Sequence, residues 1–313
     1  MNLDRIVVVT RKTRLEEAVR RFNTARQARF YVESRGQSFD DYELEYDNYS
    51  RARDALMRAL PRESRIQTVD REFLPNVLVP PDALVVTLGQ DGIVVNTAKY
   101  LSGQPVLAVN PDPDRFDGVL LPFLPEDVPL ALRELREDRH GTREITMARV
   151  RLNDGQELMA FNDFFMGTGT HASARYTLSF NGESERHSSS GIVVSTPAGS
   201  TGWLSSFLNM ACGISAFAGQ PVELRSLRMN WEERRLIFMV REPFRSNWSG
   251  ANLVAGEITG QRELVLESHM AENGIIFSDG MQQDALEFNA GTTATMGLAE
   301  RTTRLVVPRG RES

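Results

Sequence analysis

The chain has 313 residues, 41% of them hydrophobic and 25% charged, with a formal net charge of −6. That is the composition of a folded protein with one large or two ordinary cores rather than of a disordered chain. The acidic balance argues against a broad nucleic-acid groove, the single cysteine (Cys212) leaves no internal disulfide, and no apolar run reaches the length of a membrane span.

The four histidines, His140, His171, His187 and His269, show no ligand-like spacing, so no metal-ligating set is read from them. Lys12 and Lys99 are the lysines and the other basic residues are arginines, a composition bias from which no function is taken. The N-terminus lacks the charged and apolar regions of a signal peptide, and the expected location is cytoplasmic.

Arg5 to Thr10, R-I-V-V-V-T, reads as a short buried strand. Thr13 then opens a helix, with Glu16 completing a capping box and Leu15, Ala18, Val19 and Phe22 on one face. Tyr42, Tyr46, Tyr49 and Leu56 mark a second helix whose stripe fits a core or a subunit interface. Ala83 to Leu88 is the next strand and ends directly in Gly89-Gln90-Asp91-Gly92. Ile93, Val94, Thr97, Ala98 and Leu101 take helical spacing, and Val106 to Asn110 returns as a strand that stops at Pro111. Strand, helix, strand in repetition predicts a doubly wound α/β domain with a largely parallel sheet. Ligands in such sheets sit beyond the carboxyl ends of strands, where 89–92 and 110–115 both fall.

Near Gly141 the pattern changes. Ala148, Val150 and Leu152 alternate with Arg149 and Arg151 before an Asp154-Gly155 turn, and Asn181-Gly182 and Asp279-Gly280 repeat the hairpin signal. The second half is expected to be antiparallel and β-rich. The boundary is placed near residue 140, giving an α/β domain over 1–140 and a β-rich domain over 141–313, its C-terminal end free to pack back on the first. The last residues, R-G-R-E-S, read as a loose tail.

Within the second half, Ser188 to Trp203 reads S-S-S-G-I-V-V-S-T-P-A-G-S-T-G-W. A β-branched run empties into a small, hydroxyl-rich loop, and Ser200 or Thr201 can cap the helix that follows. Backbone N–H groups, hydroxyls and a helix N-terminus then converge where phosphates or ribose hydroxyls could be held. Taken alone, the same loop is also a plain capped junction. Asp91 cannot be there to bind phosphate, since like charges repel; the jobs open to it are to accept a proton from an attacking hydroxyl, to help hold Mg²⁺, or to cap a helix. Asn162-Asp163 offers an amide for a base edge and a carboxylate for ribose hydroxyls, or simply a turn before a strand.

Together these residues resemble the three signature motifs of the NAD kinase (ATP-NAD kinase) family, in the family's order. G-Q-D-G-I at 89–93 is similar to G-G-D-G-T, N-D at 162–163 to N-E/D, and S-T-P-A-G-S-T-G-W at 195–203 to S-T-P-T-G-S-T-A-Y. V-N-P-D-P-D-R at 109–115 and S-S-G at 189–191 resemble the mitochondrial-type branch. The resemblance implies an α/β nucleotide-binding domain over 1–140 followed by a β-rich dinucleotide-binding domain over 141–313, and transfer of the ATP γ-phosphate to the adenosine 2′-hydroxyl of NAD or NADH with Mg²⁺. Carried over by motif, Asp91 is the base and Gly89 and Gly92 form the phosphate loop. Asn162 and Asp163 contact NAD, and Ser190, Thr196, Ser200, Thr201, Gly202 and Trp203 complete the nucleotide contacts. A homodimer or higher homo-oligomer is expected, without nucleic-acid or membrane partners.

Gln90 and Ile93 depart from the motif where it has a second glycine and a threonine, and Gly202-Trp203 replaces Ala-Tyr. Two other readings stay open: a kinase of the same superfamily acting on a lipid or sugar hydroxyl, and a non-catalytic dinucleotide sensor.

Overall fold

The computed structural model describes residues 3–310, so the end of the expected tail, 311–313, lies outside the described residues. The chain divides into two compact units, Met1–Arg143 with Thr303–Ser313, and Glu144–Thr302.

The first unit runs β1 (Arg5–Thr10), α1 (Arg14–Phe22), α2 (Ala25–Glu33), α3 (Asp40–Ala59), β2 (Arg65–Asp70), β3 (Leu84–Leu88), α4 (Asp91–Ala98), β4 (Pro105–Val109) and α5 (Val128–Arg136). Its strands lie in the order β2-β1-β3-β4, all parallel, with Arg304 and Leu305 of the last strand added parallel to β4. Every residue of β3 and β4 is buried. Side chains alternate between faces, so strands buried on both read as unbroken apolar runs. Ile6, Val8, Leu84, Val86, Leu88, Leu107 and Val109 share one core cluster with α3 and α5 residues such as Leu56 and Leu132.

The Thr13 capping box is present, with Glu16 reaching back to the Thr13 N–H at 2.7 Å. The sequence pattern did not reveal α2. It is a short helix capped by Thr24 that buries only Ala28 and Val32.

The second unit holds β5 (Gly141–Leu152), which enters it from the first, then β6 (Glu157–Ala160), β7 (Asp163–Thr168), β8 (Ala174–Phe180), β9 (Glu183–Ser189) and β10 (Ile192–Ser195). After α6 (Trp203–Phe217) come β11 (Leu236–Val240), β12 (Ala255–Ile258), β13 (Leu264–Ser268), β14 (Gly274–Ser278), β15 (Met281–Glu287) and β16 (Thr293–Val307), which leaves the unit at its end. One sheet of the unit carries β16-β13-β8-β9, with β5 beside β16 and β6 beside β5; the other is antiparallel in the order β12-β11-β10-β7-β14-β15. Side chains of both meet in one core that includes Tyr176, Leu178 and Leu266 from the first sheet and Phe164, Val194 and Phe238 from the second.

The hairpin signals mark real turns. Asn181 and Gly182 take φ of 54° and 84°, and Asp279 and Gly280 take 55° and 72°, the left-handed pairs that a two-residue hairpin requires. The cap expected for α6 is different. Gly202 occupies the N-cap without a side-chain bond, because the Ser200 hydroxyl is turned inward, donating to the Pro197 carbonyl and accepting from the Met229 N–H.

Candidate functional site

In the first unit, β3 ends at Leu88 and Gly89 turns the chain into α4. Gly89 has φ of 157°, and a Cβ there would lie 3.3 Å from Ile93 Cγ2 and 3.4 Å from Arg11 Cδ. The turn therefore holds only a glycine comfortably. Gly92 is different: it is exposed, with open space where a Cβ would point, so a ligand can approach the backbone of the first turn. Gln90 is the N-cap residue, exposed and without a side-chain cap bond. The Ile93 N–H bonds back to the Gln90 carbonyl at 2.9 Å, while the Asp91 and Gly92 amides meet no side-chain cap at the positive end of the helix dipole.

Asp91 opens α4. Its Oδ1 accepts the Leu120 N–H at 2.6 Å, which ties the helix start to the loop after β4, and its other oxygen bonds to no described residue. That loop is itself built on Asn110, whose amide donates to the Phe116 carbonyl and accepts from the Asp112 N–H. Ile93 is not on the ligand side of this turn. It is 1% exposed and packs back on Gly89, so its lack of a hydroxyl takes nothing from the open face.

Beneath Gly89 lies a buried ion pair that no motif marks. Arg11, at the end of β1, donates to Glu45 at 2.9 Å, and Arg14 reaches the other oxygen of the same carboxylate. Burial works against the Glu45 charge, yet the Arg14 and Arg11 guanidinia hold its carboxyl below the usual range. The Tyr49 hydroxyl accepts the Arg11 N–H and donates to the Leu88 carbonyl, so α3 fastens the ends of β1 and β3 together.

In the second unit, Asn162 and Asp163 stand where β7 begins. The Asp279 carboxylate accepts three consecutive backbone N–H groups, Phe161 at 3.0 Å, Asn162 at 2.7 Å and Asp163 at 3.2 Å. The corner is held by its backbone, and neither the Asn162 amide nor the Asp163 carboxyl bonds to a described residue. Burial, with the Asp279 charge beside it, pushes the Asp163 carboxyl up to about 7. A group poised there can accept from, or donate to, a sugar hydroxyl.

Register brings the hydroxyl-rich loop to this corner, since Ser195 of β10 sits opposite Asp163. Thr196 and Ser200 were expected as ligand contacts, but both are buried and bonded internally. Thr196 donates to the Phe161 carbonyl and accepts the Gly199 N–H, and its own N–H goes to the Asn162 carbonyl. Gly199 is pressed on that carbonyl, with 2.1 Å left for a Cβ. These residues shape the corner; Thr201, Gly202 and Trp203 are the exposed ones.

At the other end of β10, Ser190 is exposed and its N–H donates to the Arg241 carbonyl, while Gly191, at φ of 107°, leaves only 2.3 Å between a Cβ and the Met166 carbonyl. Arg241 was not marked by any pattern. Its guanidinium lies 5.7 Å from the Phe165 ring and 6.0 Å from the Trp203 ring, beside a pocket of about 160 Å³ lined by Trp203, Ser206, Phe207, Met210, Arg241 and Glu242. The pocket pairs aromatic faces with a cation, a surface suited to a planar, electron-rich ring. Among the described residues no group of three or more His, Cys, Asp or Glu side chains could hold a metal ion.

No protein-family model matches the chain, and no curated protein matches it in sequence. Solved structures do. The fold is similar to that of a yeast NADH kinase complexed with NADH, at a TM-score of 0.59 and 16% identity, over 100% of this chain and 86% of that one. It is also similar to an NAD kinase from Archaeoglobus fulgidus in complex with ATP, at 0.53 and 18%, over 98% and 95% of the two chains. The fold, an α/β unit with a parallel sheet and an antiparallel β unit, is the NAD kinase fold.

Proposed function

We propose that the protein is an NAD(H) kinase-like phosphotransferase that moves the γ-phosphoryl group of ATP to the adenosine 2′-hydroxyl of NAD or NADH. Asp91 carries this reading. It sits beyond the carboxyl end of a parallel strand, at an uncapped helix start whose open glycine admits a phosphate, with one carboxylate oxygen uncommitted. The neighbours solved with NADH and with ATP support both substrates.

In this reading the 2′-oxygen attacks the γ-phosphorus as its proton passes to the free oxygen of Asp91. The bond to the bridging oxygen breaks, and ADP leaves with the electron pair. Mg²⁺ would supply charge neutralisation for the ATP phosphates; among the described residues no group of three or more His, Cys, Asp or Glu side chains could hold it, so the nucleotide and water would provide most of its ligands. Asn162, Asp163 and Trp203 hold the dinucleotide, while Gly89 and Gly92 keep the phosphate approach open. Thr201 and Gly202 supply the exposed loop and Ser190 the exposed edge, with Thr196 and Ser200 as the fasteners behind them.

Self-association as a homodimer or larger homo-oligomer belongs to the same reading. In its support, α6 carries no charge and leaves Met210, Ile214 and Phe217 exposed. Among the described residues no helix is long and apolar enough to cross a membrane, and the reading places the enzyme in the cytoplasm.

The test is direct: purified protein with ATP, Mg²⁺ and NAD or NADH, the product followed by an NADP-specific dehydrogenase. ATP-dependent formation of NADP(H) is expected. Dinucleotide binding without any NADP(H) would replace the kinase reading by the sensor.

A further inference from the structure

We propose that the cleft between α1 and α2 is a second ligand site, built for a nucleoside polyphosphate and independent of the residues around Asp91. The cleft has a volume of about 810 Å³, and Arg21, Phe22, Thr24, Arg26, Phe30 and Tyr31 are among the residues lining it. That volume is in the range of small-molecule sites, roughly 300–1,000 Å³.

Neighbouring arginines are matched by carboxylates: Arg14 with Asp41 and Glu45, Arg20 with Glu72, Arg29 with Glu33, Asp40 and Glu43. Arg21 and Arg26, which line the cleft, and Arg35, which lies over the ring of the lining residue Tyr31, make no ion pair with a described carboxylate. Two of them are held by rings instead. The Arg35 guanidinium lies 4.1 Å from the Tyr31 centroid, and Arg21 lies 5.3 Å from Phe22 and 5.6 Å from Tyr31. Phe22 and Tyr31 are themselves 4.3 Å apart. Such contacts limit the freedom of long side chains, so less entropy is lost when an anion is gripped.

Arg26 stands in the first turn of α2, which has no acidic residue there; a cation at that position opposes the helix dipole, and a bound anion offsets the conflict. Phe30, one helical turn beyond Arg26, is 76% exposed and supplies a free ring face for a base. Guanidinium forks fit phosphate oxygens in pairs. The net charge of −6 disfavours an extended polyanion such as nucleic acid or an acidic membrane, whereas a small ligand feels mainly the charges within a Debye length.

Titration calorimetry with ATP, on the wild type and an Arg21→Ala, Arg35→Ala variant of unchanged circular dichroism, tests the assignment. One binding phase should weaken about tenfold or more in the variant, the effect of losing charged hydrogen bonds. Phe30→Ala should weaken ATP in that phase but leave tripolyphosphate unaffected. Should the double variant fail to fold, Arg26→Glu on the exposed helix face carries the same comparison. Superimposable ATP isotherms would overturn the site. Tripolyphosphate binding as tightly as ATP, with no effect of Phe30→Ala, would reduce it to a simple anion patch and overturn the nucleotide assignment.

Discussion

Asp279 binds the backbone of Asp163 and repels its side chain. The Asp279 carboxylate accepts the Asp163 N–H at 3.2 Å, the Asp279 N–H returns to the Asp163 carbonyl at 3.0 Å, and the two charges face a partly desolvated corner. The carboxyl meant to meet a ligand is thereby kept near its point of titration, at about 7, in a folded protein that holds its backbone rigidly.

The folded-state value lies above the unfolded one of 3.8, so between them the folded state binds the extra proton. Stability from this group is full below the unfolded value and is lost as pH rises through about 7. Asp163→Asn cannot ionise and escapes that loss. The variant should match the wild type in urea unfolding near pH 4 and be the more stable protein at pH 8. A difference in unfolding free energy that does not change between those two values would show that Asp279 and burial do not perturb Asp163.

Asp91→Asn tests the proposed base without disturbing the loop, since an amide oxygen can still accept the Leu120 N–H. The expected loss in kcat is about 100-fold or more, with little change in NAD affinity, because the proton moves only in the transition state. Steady-state kinetics beside a binding titration separates the two. Turnover equal to the wild type would return Asp91 to the role of a loop tie.

Gln90 and Ile93 both depart from the motif, but they do not share a consequence. Gln90 is exposed at the helix start, so Gln90→Gly should raise kcat/KM for ATP by clearing the approach. Ile93 is 1% exposed in the core, so Ile93→Thr puts a hydroxyl among apolar atoms and should cost roughly 1–3 kcal/mol of stability without helping ATP. Thermal unfolding and ATP kinetics on each single variant check both statements. A gain in kcat/KM from Ile93→Thr would mean that its side chain does face the phosphates.

What the sequence shows of this site follows from what is local. The parallel strands were legible because burial on both faces leaves unbroken apolar runs, and the hairpins because Asn-Gly and Asp-Gly are among the few pairs that accept two left-handed residues. The helical spacing of Ile93, Val94, Thr97 and Ala98 already marks the face of α4 that is buried, whereas the motif comparison alone does not say that Ile93 belongs to it. Asp279 reads as a turn residue; its second job depends on β14 pairing with β7, more than a hundred residues earlier in the chain. Arg241 is hidden in the same way, meeting Ser190 and Trp203 only once β11 lies beside β10. The helix α2 stayed hidden because it buries only Ala28 and Val32, an apolar face too narrow to stand out, although Thr24 caps its first turn by accepting the Gln27 N–H.

The aromatic pocket yields the last prediction. Trp203 is 39% exposed beside a space of about 160 Å³, with Phe165 at 6.0 Å and the Arg241 cation near both rings. If this surface receives a ring of the dinucleotide, Trp203→Ala removes a stacking face worth roughly 1–3 kcal/mol per base. Arg241→Met keeps the length and loses the cation, so it should also weaken binding. The two losses should not add, because the guanidinium acts partly through the indole; a coupling of about 0.5 kcal/mol or more is expected from contacting residues. Calorimetric titration of NADH into the wild type, both single variants and the double variant closes the cycle. Unchanged affinity in Trp203→Ala would remove the pocket from dinucleotide recognition, and strictly additive losses would separate Arg241 from the ring.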